Sequence, residues 1–252
     1  MKVLYSYTPE NSSDSSITIT ASSETTNFTT DNLKSIEPVK SWKSTSVSDE
    51  WVKFDFGSIS THADTLFLNR VNFANCQIQY STDDSTYNTI KTITGMETDE
   101  ITDENYVKQW IELGSISFRY IKIVISAQTP LFETSYFKIG NALFGKVSEI
   151  WTPKSGFKAE IMPKVSITEF TSGYISTVKR GRTRRQFTGT LDKISWTEYN
   201  KLKLTLNPIV IYNDFENSDL SHCYLVRAVK SYNRSHETYN TVTVSFTFEE
   251  LV

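Results

Sequence analysis

Short runs in which apolar or β-branched residues fall at every second position dominate residues 1–148. They are Ser16–Ala21 (SITITA), Trp51–Phe56 (WVKFDF), Thr65–Phe73 (TLFLNRVNF), Cys76–Tyr80 (CQIQY), Trp110–Leu113 (WIEL), Arg119–Ser126 (RYIKIVIS) and Tyr136–Phe144, cut apart mostly by Ser, Thr, Asn, Asp and Gly. A period of two sends successive side chains to opposite faces of a strand, and no segment here carries a convincing 3.6-residue period of a helix. This half of the chain is therefore expected to fold as an all-β sandwich or barrel, which argues against an α/β enzyme fold.

Single strands can be read further. In WVKFDFG, Val52, Phe54 and Phe56 share one face, while Trp51, Lys53 and Asp55 share the other, and Gly57 ends the strand in a turn. In RYIKIVIS one whole face is Ile121, Ile123 and Ile125, which predicts a well-packed interior strand. In STDDSTYNTI, Asp83 and Asp84 are placed to accept from their own downstream backbone N–H groups in an Asx turn, with Tyr87 and Ile90 returning to the core.

The order of these features carries a resemblance. ASSE at Ala21–Glu24, Asn32-Leu33, SWKS at Ser41–Ser44, EWVKFDFG at Glu50–Gly57, TLFL at Thr65–Leu68, IQYSTDDSTYNTI at Ile78–Ile90 and FRYIKIVI at Phe118–Ile125, closing on Phe144-Gly145, resemble the discoidin family, also called F5/8 type C or galactose-binding-like. The resemblance covers about residues 16–145. It implies a jelly-roll β-sandwich that, where it has a ligand, binds it at loops on one end, through aromatic faces that pack on sugar C–H groups and polar side chains that bond hydroxyls. The candidate loops are Asn27-Phe28, Thr45–Asp49 and Pro130–Ser135, with Phe28 and Phe132 as candidate ligand contacts. These loops hold no obvious Arg, His and Asn constellation between aromatics. Trp42, Trp51 and Trp110 stand where the family's core tryptophans stand and are expected to pack inside.

Residues 149–252 differ in kind. Residues 1–148 hold 12 basic against 18 acidic residues, whereas 149–252 hold 14 against 11. We place a boundary between Ser148 and Lys158, giving two domains, 1–148 and 149–252. The second half shows strands at Val165–Phe170, Arg185–Leu191, Ile209–Tyr212, Cys223–Val229 and Thr241–Leu251. One helix interrupts them. Ser195-Trp196-Thr197-Glu198 is a capping box, Trp196, Tyr199, Leu202 and Leu206 follow at helical spacing, and Asn207-Pro208 stops the helix. The expected fold class is thus all-β with one helix: a jelly-roll sandwich plus a second, β-barrel-like domain carrying a short helix. The last strand alternates strictly, with Val242, Val244, Phe246 and Phe248 on one face.

This second pattern resembles the barrel-plus-helix modules of tailed-phage tail-tip and distal-tail proteins. The resemblance implies a non-enzymatic virion structural protein, made in the host cytoplasm, that assembles with other tail or baseplate proteins as a homo-oligomeric ring and displays the discoidin-like domain. The alternative is a carbohydrate-binding module or adhesin that recognises host surface polysaccharide. The basic run Lys179, Arg180, Arg182, Arg184 and Arg185 is read as an interdomain or subunit interface, since an Arg fork binds carboxylate through two bonds. Binding of nucleic acid by this run is the third reading; it wants stacking aromatics on the same surface, and only Phe187 is near.

Other chemistries find little in the sequence. His62, His222 and His236 have no nucleophile elbow, HExxH or P-loop beside them, and Glu249 and Glu250 point to opposite faces of a strand. No catalytic residue, cofactor or metal site is assigned. The acidic stretch 98–105 lacks the spacing of a calcium loop and reads as solvated. Cys76 and Cys223 form no metal or redox motif. No apolar run approaches the ~20 residues that cross a bilayer, and the N-terminus lacks signal-peptide order.

Overall fold

A computed structural model describes residues 2–8, 17–37, 39–97, 106–133, 135–149, 158–162, 165–169, 175–179, 184–196, 209–212, 223–228, 233–238 and 241–251. Up to residue 149 the strands are β1 (Lys2–Thr8), β2 (Thr18–Ala21), β3 (Trp42–Lys43), β4 (Glu50–Ser60), β5 (Thr65–Val71), β6 (Cys76–Ser81), β7 (Asn88–Ile93), β8 (Val107–Glu112), β9 (Phe118–Ile125), β10 (Lys138–Ile139) and β11 (Asn141–Glu149). Beyond it lie β12 (Lys158–Met162), β13 (Val165–Glu169), β14 (Ile175–Lys179), β15 (Arg184–Ser195), β16 (Ile209–Tyr212), β17 (Cys223–Ala228), β18 (Asn233–Thr238) and β19 (Thr241–Glu250). Of the expected helix only Trp196 is described, and it is helical; the rest lies outside the described residues.

Two sheets face each other across the main core. One has the order β2-β4-β9-β6-β7, all antiparallel. The alternation read from the sequence sets its inner face: Val52, Phe54, Ile121, Ile123 and Ile125 are fully buried, and Phe56 nearly so. Opposite them come Leu66, Leu68, Ala142 and Phe144 of β5 and β11, with the Phe144 ring edge-on to Phe54 and Phe56. At ~25 cal/mol per Å² of apolar surface removed from water, this packing is what holds the sandwich together.

The second sheet is longer than a sandwich needs. Its order is β12-β15-β19-β17-β16-β1-β11-β5-β8, with β18 also paired to β19. Strand β1 makes the join, pairing with β11 on one side and β16 on the other. The sheet therefore runs through residue 148, which lies inside β11, and the strands of 149–252 extend the sheet of the sandwich. The residue pattern of β5 shows why. Every residue from Thr65 to Val71 is buried, because Leu66 and Leu68 face the main core while Phe67 faces a second one with Leu4, Trp110, Leu143, Cys223 and Leu225. A strand apolar on both faces needs cover on both.

Candidate functional site

The three loops picked from the sequence lie at the same end of the sandwich, where β4 begins and β9 ends. Thr25 to Phe28 form a tight turn: the Phe28 N–H donates to the Thr25 carbonyl at 2.9 Å, and Asn27 sits at φ 70°. Asparagine tolerates that left-handed conformation better than most side chains. Backbone bonds fasten the turn to β3, from the Thr25 N–H to the Lys43 carbonyl and from the Lys43 N–H to the Phe28 carbonyl. β3 in turn pairs with β10, which puts Lys43 opposite Lys138. The Ser44 N–H donates to the Phe137 carbonyl, so the loop after β3 is tied to the 130–138 segment as well.

Asn72 organises that segment. Fully buried, it donates through Nδ2 to the carbonyls of Phe132 (3.1 Å) and Tyr136 (2.8 Å), and its Oδ1 accepts from the Lys138 N–H at 2.8 Å. Its own carbonyl accepts from the Leu131 N–H at 2.7 Å. Four bonds to one loop fix where the half-buried Phe132 and Tyr136 stand.

Two groups of rings and cations result. The Lys43 ammonium lies 4.2 Å from the centre of the Phe28 ring and 4.1 Å from that of Tyr136, and donates to the Tyr136 hydroxyl at 2.6 Å. Beside them, Phe132 meets the Tyr106 ring edge-on at 5.1 Å, and Lys138 donates to the Tyr106 hydroxyl while pairing with Glu133 at 3.3 Å. Phe28 and Phe132 are both half-buried, so each keeps part of a ring open to water. Such an array offers apolar faces, hydroxyls and an ammonium in fixed positions, which suits adhesion of a polyhydroxylated ring. It offers no nucleophile with a base beside it.

The other residues singled out land elsewhere. Lys179 ends β14 and Arg184 begins β15, while Arg180 and Arg182 lie outside the described residues. Arg185 is buried and bonds Glu250 at 3.2 Å; Glu250 also takes the ammonium of Lys108, and the Tyr224 ring lies 4.9 Å from Arg185 and 5.1 Å from Lys108. This group joins β8 of the sandwich to β15, β17 and β19. The acidic stretch 98–105, His222, and Thr197 and Glu198 of the capping box lie outside the described residues, while Ser195 ends β15. Among the described residues no group of three or more His, Cys, Asp or Glu is arranged to hold a metal ion. Cys76 and Cys223 are buried free thiols, and burial pushes that of Cys76 up to about 12.

Trp51 and Tyr87 depart from expectation. Trp42 and Trp110 are fully buried, but Trp51 is half-exposed on the outer face of the five-stranded sheet, with Lys53 and Asp55. Tyr87 stands on that face too, bonded to Asp84, with the Lys122 ammonium 3.6 Å from its ring centre and 5.3 Å from that of Trp51. Asp83 alone makes the Asx turn, accepting from the Ser85 and Thr86 N–H groups at 3.0 Å, and these bonds hold its carboxyl well below the usual range. Asp84 turns outward to Lys53.

Sequence reasoning singled out Phe28 and Phe132 and passed over Lys43, Asn72, Tyr106 and Tyr136, which the structure groups around them. One signal for Asn72 was available: a polar residue between Val71 and Phe73 in an apolar run must find partners inside.

The chain is similar to solved carbohydrate-binding modules and to one family model. The chitosan-binding module 1 of a chitosanase/glucanase from Paenibacillus sp. IK-5 is 19% identical, with 52% of this chain and 96% of that one covered at a TM-score of 0.42. The family 32 carbohydrate-binding module from C. perfringens NanJ, solved with galactose, is 12% identical, covering 59% and 100% at a TM-score of 0.43. No curated protein matches the chain. The family model for the F5/8 type C domain matches residues 18–139, which hold the five-stranded sheet, the inner core and the loop end. Residues 18–139 of this chain are an F5/8 type C domain.

Proposed function

We propose that the chain is a carbohydrate-binding protein whose F5/8 type C domain takes its ligand at the loop end. The observation that carries the reading is the convergence of Phe28, Lys43, Tyr136 and Phe132 on loops held by β3, β10 and Asn72. Two half-buried rings stack on pyranose C–H faces, and the Lys43 ammonium and the Tyr136 hydroxyl bond sugar oxygens. The protein acts by adhesion and leaves the sugar unchanged.

The expectation of a phage tail ring, with localisation in a virion and other tail proteins as partners, draws no support from the family match, which covers residues 18–139. It stands apart from the binding reading, and light scattering on the purified chain tests it through the mass in solution. The binding reading is tested by a glycan array probed with the full chain and with a Phe28→Ala, Phe132→Ala double variant. Binding to one or more glycans that the double variant loses is the expected result. Signals equal in both proteins would remove the loop end as the site.

A further inference from the structure

Lys43 is held against two aromatic rings at the loop end. Lys34, Lys40, Lys53, Lys108, Arg119 and Lys138 each pair with a carboxylate, whereas Lys43 has no ion pair among the described residues. Its ammonium is held between Phe28 and Tyr136, and its one hydrogen bond among the described residues goes to a neutral phenol. An ammonium has three donors, so two remain for a ligand. The rings and the Tyr136 hydroxyl hold the ammonium in place, which lowers the ordering cost of any anion that binds there.

The ligand reading above places a sugar ring on Phe28, which borders the same ammonium. We propose, on the basis of that reading, that the loop end selects acidic sugars: a pyranose carrying a carboxylate stacks on Phe28 and sets its anionic group against Lys43. Glu133, the acidic residue of the neighbouring group, is neutralised by Lys138 and does not oppose this. A charge-assisted bond of this kind raises affinity about tenfold over a neutral contact. The preference fades as salt screens the exposed part of the pair.

Lys122 supplies an internal control. It also lies between two rings, Tyr87 and Trp51, without an ion pair among the described residues, but on the outer face of the five-stranded sheet.

The experiment is calorimetric titration of the full chain with a short oligogalacturonate and with the neutral galacto-oligosaccharide of equal length, at low salt. The acidic sugar is expected to bind about tenfold tighter. Lys43→Gln should abolish that preference, while Lys43→Arg and Lys122→Gln keep it; circular dichroism confirms that each variant is folded. Equal binding of both sugars overturns the acidic selection and leaves the loop-end reading standing. A preference that survives in Lys43→Gln overturns the role of Lys43. Binding of neither sugar, with other glycans captured at the loop end, overturns the inference alone; capture of no glycan of any kind overturns both.

Discussion

Among the lysines that lie against tyrosine rings, Lys43 at the loop end and Lys108 in the seam where β8 meets β15, β17 and β19 make the sharpest contrast. Lys108 is 6% exposed and is matched by the Glu250 carboxylate, which Arg185 shares. Lys43 is half-buried and matched by no carboxylate among the described residues. A buried charge without a counter-charge costs several kcal/mol, so the seam has to close its own balance. At the half-buried rim, contact with solvent lowers that cost, and the proposed ligand would take the solvent's place. One pair of residue types thus serves as a fastening in one place and as an open contact in the other.

Removing the seam's shared acid breaks the comparison most strongly. Glu250→Ala removes the buried carboxylate that Lys108 and Arg185 share and is expected to cost about 3–5 kcal/mol in urea denaturation, with sugar affinity unchanged in the folded protein. Replacing Glu250, Lys108 and Arg185 together by Leu or Met should restore stability to near the wild-type level, since well-packed apolar residues often substitute for a buried ionic group at little cost. A loss under about 1 kcal/mol in Glu250→Ala would mean that the seam does not depend on its charges.

Next in size is Asn72→Ala. It leaves a buried N–H and two carbonyls without their side-chain partner, and is expected to cost about 2–3 kcal/mol. It should weaken sugar binding too, because Phe132 and Tyr136 lose their support. At the rim itself, Phe28→Ala or Phe132→Ala is expected to weaken binding five- to tenfold, about 1–1.4 kcal/mol, while the unfolding midpoint moves little. Such a split between affinity and stability is the reverse of that expected for Glu250.

The smallest effect concerns pH. Arg119 grips the Asp55 carboxylate through two bonds, 2.9 and 3.0 Å long, and these hold its carboxyl below the usual range. A carboxyl lowered by folding adds stability above its unfolded pKa of about 3.9, and that stability is lost as pH falls through the folded value. The melting temperature should therefore drop slightly as pH falls below about 4, and Asp55→Asn should flatten the drop. The pair is partly exposed, so the change stays small.

Much of the sandwich was legible because period two is a geometric property of a strand. It assigned Val52, Phe54 and Phe56 and the isoleucine face of β9 to the core. It also assigned Trp51 to the face of Lys53 and Asp55, and there the expectation that large aromatics fill cores proved the weaker argument. Tyr87 followed the same course, drawn outward by Asp84 and Lys122. The alternation of β19 likewise put Glu250 on the face of Val244, Phe246 and Phe248, a buried carboxylate in search of a partner; Lys108 is 142 residues away. The Lys43 and Tyr136 pair was illegible for the same reason. They are 93 residues apart and meet only because two-residue strands, β3 and β10, happen to pair. Local pattern predicts faces, whereas sites of this kind depend on which loops the topology brings together.

The central claim is that ligand binds at the loop end and nowhere else on the domain. The most direct measurement is a titration of isotope-labelled full-length protein with a glycan found on the array, followed by backbone and indole N–H chemical shifts. Shifts confined to residues 25–29, 43–46 and 130–138, with the Trp51 indole unmoved, are the result this account predicts. Shifts centred on Trp51, Tyr87 and Lys122, with the loop residues silent, would contradict it and move the site to the outer face of the five-stranded sheet.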